Sequence, residues 1–276
     1  MNLRAVVNWI FAITGFRFIA KENYDVLRMD PRYRAGKRWA KSSAPEDLKS
    51  YIFENLRYSN SQIQQDLFAS WVVKTAYSNM QLDFSSNRYF VEFGATNGFR
   101  LSNTFFLEMY GSWEGLLCEP ARVWQEELRK LRKCSVDFRC VYSSSGESLS
   151  FTEAKDPELG TLTQFRGVDS HSSSRLTGEN YLVETVSLND LLDFHQAPRF
   201  IDYLSIDTEG SEFEILKFLD FEKYSFGVIT VEHNFTPNRK LIYNLLTNWG
   251  YVRVLTEVSE QDDWYISPRI LRIFRP

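Results

Sequence analysis

The sequence predicts an α/β domain built on a mostly parallel sheet, and three observations predict it. From Tyr89 onward, short apolar runs alternate with amphipathic segments, the pattern of strands and crossover helices. The first run ends in a turn carrying Gly94 and Gly98, as a strand does where it passes into a helix. Near the end, the apolar stretches Tyr251 to Glu257 and Asp263 to Ser267 are separated only by Val258 to Asp262, which predicts an antiparallel hairpin closing the sheet edge.

Residues 1–60 read as a basic helical extension and connector, and residues 61–276 as the domain. Ala5 to Ala20 is apolar but interrupted by Asn8, Thr14 and Arg17, short of the ~20 apolar residues that span a bilayer. Arg4 precedes an apolar run as in a signal peptide, yet Phe18-Ile19-Ala20-Lys21 offers no small-x-small cleavage site. The expectation is an amphipathic helix with Val6, Val7, Ile10, Phe11 and Phe18 toward one side. It would pack on the domain or on a second copy of the chain; peripheral contact with an anionic membrane surface is the other reading. A connector follows, in which Ser42 to Asp47 resembles a helix start. A longer helix is expected from Ser61 to about Met80, with Ile63, Leu67, Trp71, Val72 and Ala76 at helical spacing.

In the domain, strands are expected at Tyr89 to Phe93, Gly115 to Glu119, Val136 to Tyr142, Ile201 to Asp207 and Gly227 to Glu232. Helices are expected at Ser102 to Tyr110, Arg122 to Lys133, Leu188 to Phe194, Ser211 to Leu219 and Arg239 to Trp249. The stretch from Glu153 to Tyr181 fits neither period and is rich in Ser, Gly and Thr around His171 and Arg175. So long a loop is either disordered or a lid over a site.

Composition narrows the function. The chain of 276 residues is 43% hydrophobic, 16% aromatic and 25% charged, with net charge −4, as expected of a soluble globular protein with a full core. Three cysteines, Cys118, Cys134 and Cys140, are too few for a disulfide scaffold and favour a reducing, cytoplasmic setting. The first 41 residues hold nine Lys/Arg and three acids, a charge of +6, against −10 for the rest. An acidic body argues against a nucleic-acid partner, since phosphate backbones are bound by clustered Lys and Arg.

Three motifs carry chemistry. Phe90-Val91-Glu92-Phe93-Gly94-Ala95-Thr96-Asn97-Gly98 is an apolar strand with an acid before an open-backbone turn. A dinucleotide turn would use G-x-G-x-x-G, and Glu92 would repel a phosphate. The combination suits a cationic ligand such as S-adenosylmethionine, with Glu92, Gly94, Asn97 and Gly98 as contacts. The second strand ends in Glu119-Pro120, about twenty residues after the glycine turn, where one carboxylate can grip a ribose diol. Tyr142, at the end of the third strand, and Asp207, at the end of the strand Ile201 to Asp207, are further cofactor contacts. Third, Asp207-Thr208-Glu209-Gly210-Ser211-Glu212 and Glu232-His233-Asn234 bring carboxylates and an imidazole to two adjacent strand tips. Buried acids there need a proton, a cation or a donor, although Glu212 reads equally well as a helix cap.

These residues resemble the FkbM-type S-adenosylmethionine-dependent methyltransferases over roughly Ser61 to Ser267. The resemblance rests on Val91 to Gly98, Glu119-Pro120, Ile201 to Glu212 and Val231-Glu232-His233, with Asp-x-Glu-Gly-x-Glu the most specific element. One departure is Glu92, where many members have Asp. The resemblance implies a Rossmann-like class I methyltransferase with a seven-stranded, mostly parallel sheet and a reversed last strand. It also implies O-methylation of a hydroxyl, often on a sugar of a glycan or glycoside.

For that reaction His233 is the first candidate base, Asp207 the second, and Glu209 a further catalytic carboxylate. Asp207 and Glu232, with Asn234, also resemble the oxygen set that holds Mg²⁺ in metal-dependent O-methyltransferases. Trp264 is a candidate stacking face for a sugar, or else packs on the sheet edge. His171 and Arg175 either complete the site from the lid or are solvated. Two other functions stay open: a nicotinamide-dependent oxidoreductase, disfavoured by the glycine spacing, and a cofactor-free interaction module tethered by the basic arm.

Overall fold

The computed structural model describes residues 31–79 and 87–274. The chain divides into two compact units, residues 1–41 and 42–276. In the first, the described residues form one helix, α1 (Pro31–Lys41), with proline in the first turn, where its missing N–H costs nothing. The amphipathic helix expected at Ala5 to Ala20 lies outside the described residues. No described helix is long and apolar enough to cross a membrane.

The second unit opens with α2 (Glu46–Asn55), whose first turn carries Glu46 and Asp47, acids that complement the helix dipole. The next helix, α3 (Gln65–Asn79), begins four residues later than its periodicity predicts. Asp66 explains the delay: its Oδ1 accepts from the hydroxyls of Ser59 and Ser61 and from the N–H of Leu67. The segment before the helix is thereby held in a non-helical turn, with Gln64 at φ 65.

The strands β1 (Tyr89–Phe93), β2 (Glu114–Cys118), β3 (Ser135–Asp137), β8 (Phe200–Ile206), β9 (Ser225–Glu232), β10 (Val252–Val254) and β11 (Asp262–Ile266) form one sheet in the order β10-β11-β9-β8-β1-β2-β3. The pairs β9–β8, β8–β1, β1–β2 and β2–β3 are parallel. The C-terminal hairpin is present, and β11 is antiparallel to both β9 and β10 and lies between them. The hairpin thus closes this edge of the sheet as expected, with β10 outermost and β11 inside it. All five residues of β11 are buried, which an edge position would not allow. Trp264 within it is 0% exposed and stacks on Phe68 of α3, ring centroids 4.7 Å apart. Packing, not sugar stacking, is its role.

The stretch Val136 to Tyr142 is not one strand. It breaks into β3 and β4 (Cys140–Tyr142), and β4 joins a second sheet with β5 (Ser148–Glu153), β6 (Thr161–Leu162) and β7 (Glu179–Ser187) in the order β4-β7-β5-β6. Glu153 to Tyr181 is thus not a structureless loop. It holds β6, 3-10 turns at Pro157–Leu159 and Thr163–Phe165, the short helix α6 (Ser172–Arg175) and the start of β7. Phe151, Leu162 and Val183 from this sheet pack with Cys140 and Ala121 in a small satellite core.

The helices α4 (Phe105–Gly111), α5 (Gln125–Leu131), α7 (Leu188–Phe194), α8 (Glu212–Lys217), α9 (Asn238–Asn248) and α10 (Pro268–Phe274) connect or follow the strands of the main sheet. Its central strands are mostly apolar and, past their first residues, buried along their length, as parallel strands covered on both faces must be. Because β8 returns beside β1 after β2 and β3 have grown the other way, the strand order reverses at the β1–β8 pair. A crevice opens beyond the carboxyl ends of strands at such a point.

Candidate active site

That crevice holds a cavity of about 400 Å³ lined by residues from the ends of β1, β2, β4, β8 and β9. Gly94, at φ +75, lies so close to β8 that a Cβ would stand 1.9 Å from the Asp207 carbonyl oxygen. Only glycine permits the two strand ends to meet there. Thr96 lines the wall beside it.

The other residues of the glycine turn build it from behind and do not line the cavity. Glu92 accepts from Ser102 Oγ and Thr104 Oγ1 on one oxygen and from the Asn103 N–H on the other. Its nearest cation is the buried Arg132, 3.9 Å away. Arg132 also donates to the Gly98 carbonyl and to Ser102 and Thr104. The acid expected to face a cationic ligand is therefore spent on the loop and on an internal arginine that no motif announced. Asn97 accepts the N–H groups of Phe99 and Arg100 on Oδ1 and donates to Glu127, and Gly98 packs against Leu128 and Arg132.

Glu119 stands at the cavity, as its position after β2 predicts. Oε2 accepts the N–H of Thr96 and Oε1 that of Ala121, both at 2.9 Å. Each oxygen keeps a further acceptor site. Burial pushes its carboxyl up to about 8. Tyr142 is not a lining residue: its hydroxyl accepts from Gln164 Nε2 at 2.7 Å. Cys140 and Val141, earlier on the same strand, line the cavity instead.

At the tips of β8 and β9, Asp207, Glu209 and Glu232 place one oxygen each within 4.8 Å of the others. Asp207 is partly open while Glu209 and Glu232 are buried. Burial, reinforced by the neighbouring acids, raises all three: Asp207 to about 7, Glu209 to about 9, Glu232 well above the usual carboxylate range. At neutral pH such a cluster retains a proton or takes up a cation.

One partner is already supplied. Arg175, fully buried, donates to Glu209 at 2.8 Å, to both oxygens of Asp169 and to the Leu159 carbonyl. Of the two lid residues proposed from sequence, Arg175 is thus a buried clamp and His171 lines the cavity. Glu212 is the cap that its position allows, accepting the N–H groups of Thr208 and Gly210 and the Thr208 hydroxyl.

His233 is not at the cavity, which corrects its assignment as first candidate base. Successive strand residues face opposite sides, so with Glu232 toward the cavity, His233 points behind it. Its Nδ1 accepts the Phe235 N–H at 3.0 Å, Nε2 lies 3.7 Å from Asp263, and burial lowers its pKa to about 4. Residues that the sequence did not mark complete the wall: Leu101, Gln62, Gln261 and Phe235. Gln261 Nε2 donates to Gln62 Oε1 at 2.6 Å. No periodicity singles them out, because they come from loops far apart in the chain.

The glycine turn at the switch point and the acids on the neighbouring strand tips thus line one ligand-sized crevice at the carboxyl ends of the strands. The model of the methyltransferase FkbM domain matches residues 92–253, more than half of the chain, which belongs to the FkbM methyltransferase family. No protein in the curated set matches. Among solved structures, an uncharacterized ACR superfamily protein from Burkholderia thailandensis is similar at 11% identity, over 89% of this chain and 76% of that one, with a TM-score of 0.26. At that score it carries no argument.

Proposed function

We propose that this methyltransferase uses S-adenosylmethionine to methylate a hydroxyl of a neutral sugar. The observation that carries the reading is Glu119, a buried carboxylate held by two backbone N–H groups at the wall of the switch-point cavity. Each oxygen has capacity left for one hydroxyl of a ribose diol. The lining chemistry fits a cationic cofactor: five acids, Glu119, Glu158, Asp207, Glu209 and Glu232, line the cavity, and among the described residues no Lys or Arg does. A dinucleotide would bring two phosphates to a wall on which no described residue offers a cation.

The cofactor supplies an electrophilic methyl group when bound; the chain supplies orientation and a proton acceptor. Holding acceptor oxygen, methyl carbon and sulfur in line accounts for about 7–11 kcal/mol of a displacement barrier. Asp207 is the base this geometry favours, because it alone of the three clustered acids is partly open to the cavity. Glu209 is held by Arg175 and Asn234, which suits it to orient rather than to accept a proton.

The same cluster supports a second reading. Three carboxylate oxygens within 4.8 Å form a hard-oxygen set of the kind that Mg²⁺ takes, and Asp207 and Glu232 would hold it. Such a cation would lower the pKa of an acceptor hydroxyl. A rise in melting temperature with Mg²⁺, abolished in Asp207→Asn, supports this; unchanged melting removes it.

Calorimetric titration tests the main proposal. Binding of S-adenosylmethionine or S-adenosylhomocysteine, but not of NAD, is expected. Failure of both methyl-donor forms to bind overturns it.

A further inference from the structure

The turn that follows β9 carries a feature that the cofactor does not explain. Phe235 lines the cavity and is 72% exposed. A single exposed phenylalanine is ordinary, but its backbone is not. Asn234 and Phe235 are consecutive non-glycine residues in the left-handed region, at φ 41 and φ 56. Each such residue costs about 1–3 kcal/mol and persists only where the surroundings enforce it.

The enforcement is visible on every side. The N–H groups of His233 and Asn234 both donate to the Gln261 carbonyl, at 2.8 and 3.3 Å, and Thr236 donates through its N–H and its hydroxyl to the His233 carbonyl. Asn234 Nδ2 donates to Glu209 Oε2 at 3.1 Å. The His233 ring accepts the Phe235 N–H on Nδ1 and packs edge-on against the phenyl ring, centroids 5.2 Å apart. The imidazole displaced from the catalytic role thus holds the strained turn.

Chemistry at the cavity wall limits what such a ring can meet. The same cavity is lined by Gln62, Gln261, Asn234 and the acids Glu158 and Glu209, and among the described residues by no cation. An anionic acceptor finds no lining cation there among the described residues. A neutral polyol with one C–H face is matched: its hydroxyls meet amides and carboxylates, and its apolar face meets an aromatic ring. Trp264, the aromatic the sequence offered for this purpose, is sealed in the core.

We propose that His233-Asn234-Phe235 is a pre-organised acceptor platform, in which Phe235 stacks on the apolar face of a neutral sugar ring and His233 is the positioning residue that holds it. This rests on the reading of the cavity as the methyl-transfer site.

Saturation-transfer NMR of the full chain, with and without S-adenosylhomocysteine, tests it, using methyl glycosides of glucose, galactose, mannose and rhamnose as probes. Transfer to at least one glycoside is expected, strongest on the protons of one ring face. It should fall about tenfold in Phe235→Ala and persist in Phe235→Tyr. His233→Leu should weaken it similarly, and His233→Asn, whose Oδ1 can replace Nδ1 as acceptor, should restore it. S-adenosylhomocysteine affinity should stay constant across the set.

No transfer to any glycoside in the parent chain, or undiminished transfer in Phe235→Ala or in folded His233→Leu, overturns the platform. If His233→Leu does not fold, Phe235→Ala, exposed and removed from the core, decides alone. Loss of S-adenosylhomocysteine binding in the parent chain would instead sink the cofactor assignment, and the arm run without cofactor still judges the platform.

Discussion

Glu119 accepts one backbone N–H on each oxygen, so Glu119→Ala strips the cavity of its proposed ribose acceptor and leaves two donors unpaired. A hydrogen bond to a neutral group is worth about 0.5–1.5 kcal/mol net, so losing two should lower cofactor affinity by about tenfold or more, read by calorimetry, while circular dichroism shows the fold retained. Unchanged affinity would remove Glu119 from the site. Gly94→Ala is a different failure. Its Cβ meets the Asp207 carbonyl at 1.9 Å in a left-handed backbone, so β1 and β8 must separate; a loss of about 3 kcal/mol or more is expected in urea denaturation, with cofactor binding lost alongside. Asp137 gives the pH signature. Although burial opposes it, Arg139 and His195 bring its carboxyl from 3.8 down to about 2. A depressed folded pKa stabilises above the unfolded value and is lost as pH falls through the folded one. Asp137→Asn should cost about 1 kcal/mol at pH 7, discounted for its partial exposure, and progressively less as pH falls from about 4 through 2. A cost independent of pH would refute the linkage.

Among the elements, the segment from Pro157 to Gly178 shows how ordered a polar stretch can be. Its pattern carries no helical or strand period, yet Arg175 ties it to Glu209 at the β8 tip and to Asp169 and Leu159 within the segment. Arg175→Met should therefore destabilise strongly, by about 3–5 kcal/mol, since it leaves buried carboxylates without their cation. Adding Glu209→Gln should recover part of that loss, and a double variant no more stable than Arg175→Met would sink the account. The strands were unevenly legible for a related reason. The five-residue run at Tyr89–Phe93 is apolar except for Glu92 and coincides with β1. β5, Ser148–Glu153, is written largely in Ser, Thr and Glu with only two residues buried, so no apolar run marks it. It forms because Ser148 to Glu153 pair with Glu179 to Glu184 across a long separation in sequence. The break between β3 and β4 is equally invisible, for each half belongs to a different sheet.

For the molecule as a whole, cofactor binding and stability are one equilibrium. Ligand at one hundred times its dissociation constant adds about 2.7 kcal/mol, which in a domain of this size raises the melting temperature by roughly 5–10 °C. Saturating S-adenosylhomocysteine should do so and NAD should not; no shift with either removes the cofactor assignment. The sequence by itself determined the alternation of strands and helices, the glycine turn, the acids after β2, β8 and β9, and with them the family. These are local: an apolar run, a turn residue and a strand-end carboxylate are each written in a few contiguous positions. Tertiary structure alone decided which of those acids the cavity sees. Glu92 and Glu119 both sit at strand ends, yet the first is consumed by Arg132 and the 102–104 turn while the second faces the cavity. Glu232 and His233 are neighbours in sequence, and the pairing of β9 with β8 and β11 sends one inward and the other behind Phe235. The side of a strand that a residue occupies depends on register against partners far away in the chain, and that register is set by burying the whole sheet at once.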